Sequence, residues 1–499
     1  MKTASDKLFR VVKSMTKAEK RYFKLAIERY QVKQSRRSIE LFDALNKLNI
    51  YEESELLKIL KTPQLKKNLS MHKKILLDTL LQALKNQYLK KYPIMAIQEK
   101  LDYALLMRDR NLPEIAMNLV NEAVAKCKEY ECWEKQLEAY ELKRSILVLV
   151  ERTKAIFEEE LVLLEEEKGL LADINERIEM LKVQNHLQQF RDNSYQVHTE
   201  EDIHLINELG KQLDKHLTLE APSNQITLQF ALADFYYNKK DYVKQIEALD
   251  KIGKLFEGNP KFIQKNPNHY CKYLQCRMLP NYHLRNFEAM KALKVELDRL
   301  QTDENTPIIT KELANLNATR IVRELVIAGE ESAEVFEAMR KEWFNQPVQN
   351  VLHAVLVLRL FLSYDFMVGD YQKLLDTYFY IDKKMLDKGP FYTTLTCKYI
   401  VMATYFELDN VDMLSYWVRN IRYTLKREGR YGDIEKLILN FFQKGPQPFQ
   451  KEYQKLLAIF HQRIVYKDDC IGNVFLYWLM AKASKKTILE VHNEESATI

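Results

Sequence analysis

Glycine and proline together make up 23 of the 499 residues, about 5%, less than half of ordinary usage. That scarcity excludes turn-dense all-β folds, collagen-like sequence and the glycine-looped sheets that cradle nucleotides. Cysteine is equally sparse, with six in the chain: Cys127, Cys132, Cys271, Cys276, Cys397 and Cys470. Six thiols cannot staple a protein of this length. The two close pairs are each five residues apart, and on a helix that step turns the thiols about 140° from one another, poor geometry for one shared metal. They read as small buried residues of a reducing compartment. Long apolar runs are missing as well. The longest uncharged apolar-rich stretch near the end, residues 471–481, falls far below the roughly 20 residues of a membrane span. The opening MKTASDKLFRVVKS has no signal-peptide core. The expectation is a cytoplasmic protein with no membrane partner.

What is present is 46% hydrophobic and 29% charged, ordinary for a folded chain and too apolar for general disorder. At this length a single compact core is not expected. The net charge of +6 hides an asymmetry: residues 1–100 hold 23 Lys and Arg against 10 Asp and Glu, so the first hundred residues carry +13 and the rest −7. A basic head on a mildly acidic body suggests two surfaces with different partners.

Helices are expected almost continuously, about two dozen of them. Near Gln447, for example, Phe449, Tyr453, Leu456, Leu457, Phe460 and Ile464 trace one apolar face at helical period. Thr16 with Glu19 has capping-box spacing, Thr199 precedes an acidic first turn, and Pro307, Pro347, Pro390 and Pro446 sit near helix starts. No segment alternates with period two for long enough to predict a strand. Breaks at Tyr92-Pro93 and around residues 191–198 divide the chain into a basic helical domain (1–92), a helical-repeat region with acidic helices (93–195), a solenoid (196–483) and a mostly flexible tail (484–499).

Self-similarity decides the architecture. Residues 228–260 place Leu232-Ala233, Tyr236 and the turn Lys240-Asp241-Tyr242 between two amphipathic stripes, Ile226, Phe230, Ala233 and Tyr237, then Val243, Ile246, Leu249 and Ile252. Neither stripe can be buried alone, so the helices must pair and stack. This stretch resembles a tetratricopeptide (TPR) repeat: Leu232-Ala233 stands where that family has Leu-Gly, and Lys240-Asp241-Tyr242 where it has Gly-Asp-Tyr. Weaker echoes occur at Asn111-Leu112, Asn286-Phe287, Gly369-Asp370-Tyr371 and Asn410-Val411, at spacings of 40 and 45 residues rather than the family's 34. Gln245 stands where the family prefers Ala. The opening SDKLFRVVKSMTKAEKRYFKL is similar to uncharacterised bacterial TPR-like proteins. The resemblance implies an all-α, TPR-like α-solenoid that binds a peptide or protein partner in a groove. TPRs that clamp a C-terminal carboxylate carry Lys and Asn on the first helix; here Gln229, Asp234 and Asn238 are available without a Lys, which argues against that use.

Catalytic signatures are wanting. There is no P-loop, GxGxxG, HExxH or GxSxG, and Gly429 and Gly432 stand inside helical sequence. His198 and His204 are too far apart to signal a metal. The runs Glu158-Glu159-Glu160 and Glu165-Glu166-Glu167 read as solvated faces, with the periodic apolar residues Ile156, Leu161 and Leu164 between them. The expectation is a protein without enzymatic activity or cofactor. The candidate binding residues lie in the head: Lys17, Lys20, Arg21 and Lys24 share one helical face, opposite Tyr22, Phe23, Ala26 and Tyr30, and Lys66, Lys67, Lys73 and Lys74 form a second cluster. Short helices at 38–48 and 52–60 lie between, compatible with a helix-turn-helix-like set. Such faces suit a phosphate backbone or an acidic protein, or serve solubility alone. The leading reading is therefore a protein-interaction scaffold; the alternative is a nucleic-acid-binding regulator working through residues 1–92. Oligomeric state is not encoded in any motif.

Overall fold

The computed structural model describes residues 6–28, 32–49, 51–89, 91–149, 153–192, 200–303, 306–345, 351–380, 391–445, 453–454, 456–457 and 470–498. Among these the chain is all-α, with twenty-five helices and no strand. Thr199, Pro347, Pro390, Pro446, Tyr30, His198, most of the 191–198 break and most of the helix expected from Gln447 lie outside the described residues. It divides into two compact units, Met1–Leu170 and Leu171–Ile499.

The first unit opens with six helices, Lys7–Ser14, Lys17–Glu28, Val32–Lys47, Glu53–Ile59, Pro63–Lys67 and Leu69–Tyr88. Phe23, Leu41, Phe42, Leu45, Leu56, Leu76 and Leu80 are fully buried in their shared core. The Thr16 and Glu19 pair closes as a reciprocal cap: Glu19 N–H donates to Thr16 Oγ1 (3.2 Å) and Thr16 N–H to Glu19 Oε2 (2.5 Å). Glu19 is itself buried, and its other oxygen accepts the Tyr88 hydroxyl (2.5 Å), tying the second helix to the sixth. Three further helices follow, Pro93–Asp109, Pro113–Tyr130 and Trp133–Leu147. Each is joined to the next by a left-handed residue, Asn111 (φ 59°) and Glu131 (φ 48°). Cys127 and Cys132 lie across the second of these turns, the Cys132 N–H bonding the Cys127 carbonyl (2.9 Å). They do not share one helix as their spacing implied.

In the second unit one turn recurs. Asp241, Asn286, Asp370 and Asn410 each begin a helix and accept the N–H of the residue three positions on, at 3.1, 3.3, 3.3 and 3.1 Å. Each is preceded by a left-handed residue: Lys240, Arg285, Gly369 and Asp409. Each returns its own N–H to the carbonyl five residues back, at 3.0, 2.8, 2.9 and 3.0 Å. This is a helix C-cap fused to the next N-cap, a single device that reverses the chain in two residues. The C-cap half of this device recurs at Gly329-Glu330, where Gly329 (φ 77°) supplies the left-handed position and Glu330 N–H reaches the Leu325 carbonyl (2.8 Å), but the next helix starts only at Ala333. The turns fall at 241, 286, 330, 370 and 410, steps of 45, 44, 40 and 40 residues. Each echo in the sequence thus marks a real turn; the one at 330 lacks both the Asx and the aromatic and was invisible to the motif. The same kind of C-cap, with Arg430 N–H on the Leu425 carbonyl (2.8 Å), leaves Gly429 (φ 67°) and Gly432 between helices Val411–Arg427 and Asp433–Gln443, not within one.

The recurring helices pack on their sequence neighbours, and the first helices of successive hairpins also touch: Pro267–His283 on Ile308–Ile327, Ile308–Ile327 on Val351–Val368, and Val351–Val368 on Phe391–Glu407. In helix Pro222–Asn238 the expected stripe Ile226, Phe230, Ala233 and Tyr237 is buried throughout. In Tyr242–Gly258 the buried face is rotated by about one position. Tyr242, Gln245, Leu249, Ile252 and Phe256 point inward, and Val243 is 56% exposed. Tyr242 stacks on His283 of a neighbouring helix (4.4 Å, 11°) and takes the place assigned to Val243. Val351–Val368 is the one described helix long and apolar enough to cross a membrane by composition, and most of it is buried inside this unit, so it serves as a core helix.

Within the tail expected to be mostly flexible, a helix spans Ile488–Thr498. Thr487 and Glu490 cap it, and it buries Ile488, Val491 and His492. The His492 ring meets the Tyr282 hydroxyl (3.2 Å to Nε2) and lies edge-on to Tyr477 (5.0 Å). Burial lowers its pKa; Glu324 pulls upward, Arg323 downward, and Asn493 upward through a hydrogen bond. A base whose folded value is depressed favours folding above its unfolded value near 6.5 and loses that contribution as pH falls through 6.5. Hydrogen exchange of residues 488–498 should therefore accelerate between pH 7.5 and 5.5, corrected for intrinsic chemistry. His492→Gln should flatten the dependence; an undiminished slope in that variant assigns the effect elsewhere.

Candidate interaction surfaces

The expected basic face is divided. Lys20 Nζ donates to Asn46 Oδ1 (2.8 Å), and burial, with Lys13 nearby, lowers its pKa against the pull of Glu19. Lys24 pairs with Asp43 (2.7 Å). Lys73 donates to Glu53 (2.6 Å) and to the Tyr51 hydroxyl; burial pulls the ammonium down, and these two bonds outweigh it and raise its pKa. These three cations serve largely to join helices. Lys17, Arg21, Lys66, Lys67 and Lys74 stand exposed. They form two groups, not one. Lys17 and Arg21 flank Glu19, which touches Tyr88 at the far end of Leu69–Tyr88. Lys74 lies fourteen residues earlier on that helix, about 21 Å away at 1.5 Å per residue. Lys66 and Lys67 precede it. At physiological salt the two groups are screened from each other by more than two Debye lengths.

Of the polar residues tested against a carboxylate clamp, Asp234 and Asn238 are used internally. Asp234 is buried and accepts from Gln184 (2.9 Å) and Gln188 (3.0 Å), and Asn238 Nδ2 donates to the Leu187 carbonyl (3.1 Å). These contacts dock helix Pro222–Asn238 on residues 184–188. Burial pushes the thiols of Cys127 and Cys397 up to about 12 and of Cys271 to about 11, the opposite of an activated nucleophile. Among the described residues no three His, Cys, Asp or Glu side chains are grouped to hold a metal ion.

The acidic face read in the sequence lies on helix Lys154–Asp192. Its glutamates were read as solvated, and Glu158, Glu159, Glu165 and Glu166 are exposed. Three of the glutamates also reach the preceding helices: Glu159 pairs with Lys143 (2.7 Å), Glu166 with Lys128 (3.0 Å) and the Tyr140 hydroxyl, and Glu167 with Arg144. The bonds from Tyr140 and Lys128 hold the Glu166 carboxyl below the usual range. Leu163 is buried against this side, whereas Leu161, Val162 and Leu164 are 63%, 58% and 47% exposed. Periodicity alone located the apolar residues; the signal that would have oriented the helix is Lys128, Lys143 and Arg144, at helical intervals on the preceding elements and matched to Glu166, Glu159 and Glu167.

No family model, curated protein or solved structure matches this chain.

Proposed function

We propose that this protein is a non-enzymatic interaction scaffold whose second unit is a TPR-like α-solenoid of stacked helical hairpins presenting a groove to a peptide or helix of a partner protein. The observation that carries the reading is the same two-residue turn at 241, 286, 370 and 410, with its C-cap half again at 329–330, and the first helices from Pro267–His283 to Phe391–Glu407 touching in succession. Repeated hairpins extend a surface in one direction, and such surfaces suit elongated partners. Helices Cys470–Ser484 and Ile488–Thr498 lie against part of this row, so the groove is assigned to the first helices they leave uncovered.

The test is affinity capture of the full-length protein from host lysate, with and without nuclease. A discrete protein retained after nuclease supports the scaffold; retention that vanishes with nuclease and falls steeply with salt overturns it in favour of a nucleic-acid regulator. The specific observation behind that second reading is the exposure of Lys17, Arg21, Lys66, Lys67 and Lys74. On the scaffold reading, reversing all five to Glu leaves the captured protein unchanged. Loss of capture on reversal moves the functional end to residues 1–92.

A further inference from the structure

We propose that helix Ile488–Thr498 is a displaceable cover on the row of first helices, and that the face beneath it, from Tyr282 to helix Val351–Val368, binds a short amphipathic helix of a partner protein when the cover lifts. A last helix that only extended the stack would pack on the hairpin before it. This one turns back across the row. The His492 ring meets the hydroxyl of Tyr282, 210 residues earlier in helix Pro267–His283, at 3.2 Å to Nε2. The same helix packs on Val351–Val368. Between those two stands Ile308–Ile327, whose Arg323 and Glu324 both act electrostatically on His492. One element of eleven residues thus meets three successive first helices, as a bound helix lies in a groove between packed elements.

The segment carries its own local structure. Lys485 takes the left-handed conformation (φ 58°), and Lys486 N–H returns to the Ala481 carbonyl (3.1 Å), which reverses the chain after Cys470–Ser484. Thr487 N–H then donates to Glu490 (2.7 Å), Glu490 N–H to Thr487 Oγ1 (3.2 Å), and Lys486 pairs with Glu494 (2.6 Å). This start does not depend on docking. What docks the helix is small: Ile488, Val491 and His492, little more than one turn of buried stripe set against the ordering of eleven residues. The seat is partly polar. Beside the Tyr282 hydroxyl, Arg323 donates to Ser363 (2.8 Å) and to Glu324, and both charged side chains are buried. Lost hydration opposes such burial, so lifting the helix costs less than opening an apolar seam. Opening stops at the Lys485 turn, because Trp478 on the preceding helix is packed among Phe406, Phe442 and Phe475. The occupant defines the partner: two aliphatic side chains three positions apart, followed directly by a hydrogen-bonding ring.

This assignment rests on the scaffold reading and extends its groove to the covered helices. It is tested on the full chain with a labelled synthetic peptide of residues 485–499, read by fluorescence anisotropy. In the native chain the attached helix outcompetes the free peptide. Ile488→Asp/Val491→Asp, which disables the attached helix and leaves the seat unaltered, should tighten peptide binding at least tenfold. Adding Tyr282→Ala should remove the gain, and a peptide carrying the same two aspartates should not bind. Hydrogen exchange of the unaltered protein is an independent measure: amides 488–498 should open at least tenfold more often than those of Val351–Val368, which stay protected. Equal peptide binding by the native and aspartate chains overturns the proposal. So does loss of cooperative unfolding of the second unit in the aspartate chain, and so does exchange of 488–498 only together with the core. A dimer built on exchanged C-terminal helices, abolished by the aspartates, overturns it as well, since the occupant is then a second copy. The two readings fail separately, because the peptide assay needs no outside partner. Peptide binding without nuclease-resistant capture keeps the cover and removes the scaffold, whereas capture with no gain in peptide binding does the reverse.

Discussion

Replacing Arg340 with Leu should lower the unfolding free energy of the second unit by about 3–5 kcal/mol, the range for removing one partner of a buried ion pair. Arg340 and Asp365 are almost completely inaccessible. The guanidinium grips the carboxylate with both arms, at 2.8 and 2.6 Å, and reaches Thr377 Oγ1 at 3.4 Å and Glu337 at 3.5 Å. Its face lies 4.9 Å from the Phe361 ring. One side chain of helix Ala333–Asn345 thereby holds Val351–Val368 and Tyr371–Tyr380 in register. Burial pushes the Asp365 carboxyl up to about 6 even though Arg340 pulls it down, so desolvation dominates here and an uncompensated carboxylate would be costly. The pair itself is a different matter. Arg340→Met/Asp365→Leu, which removes both charges, should cost far less than either single change, because the desolvation burden leaves with them. Urea unfolding followed by far-ultraviolet circular dichroism completes the cycle. A double variant as unstable as Arg340→Leu would mean that shape at this site matters more than charge.

That pair was not legible in the sequence, and the reason is general. Arg340 and Asp365 are 25 residues apart, and in sequence each is indistinguishable from a solvated charge on an amphipathic helix. What could be read was local. The Thr16 and Glu19 cap, the Asx turns at 241, 286, 370 and 410 and the stripe Ile226–Phe230–Ala233–Tyr237 are all set by residues within a few positions of one another. Errors arose wherever a partner far along the chain chose between two faces. Val243 lost its inward place to Tyr242 because His283 offers a stacking surface. The basic head was counted correctly as charge, yet Asn46, Asp43 and Glu53 engage three of its eight candidate cations, and no sequence pattern ranks those three below the other five. The residues from 484 onward were read as frayed, apart from a short helical turn at 488–491, because their polarity is high. Four side chains, Thr487, Ile488, Glu490 and Val491, were enough to cap and bury a helix there.

Replacing Trp478 with Ala should be comparably severe, at about 3–5 kcal/mol, for reasons of packing rather than charge. The indole is fully buried in helix Cys470–Ser484 and is ringed by Phe366, Phe406, Phe441, Phe442, Tyr453 and Phe475, with centroids 5.2–6.5 Å away. Several of these contacts are edge-to-face, and Phe442 is stacked at 9°, arrangements that add to the area buried. Its Nε1–H donates to Glu407 Oε1 (2.7 Å), and the other Glu407 oxygen accepts from Lys482 (2.6 Å). Alanine would leave a cavity that six rings from at least four helices cannot close together, and would strip one donor from a carboxylate that is mostly buried. Trp478→Phe separates the two effects: it keeps most of the ring contacts and loses the hydrogen bond, which is worth about 1.5–3 kcal/mol when a charged group is involved. A phenylalanine variant close to the native midpoint in urea, beside a strongly shifted alanine variant, assigns the stability to packing. Equal shifts would assign it to Glu407. Because this cluster joins helices Phe391–Glu407 and Asp433–Gln443 to the C-terminal pair, its loss should also speed hydrogen exchange across residues 470–498, well beyond the substituted turn.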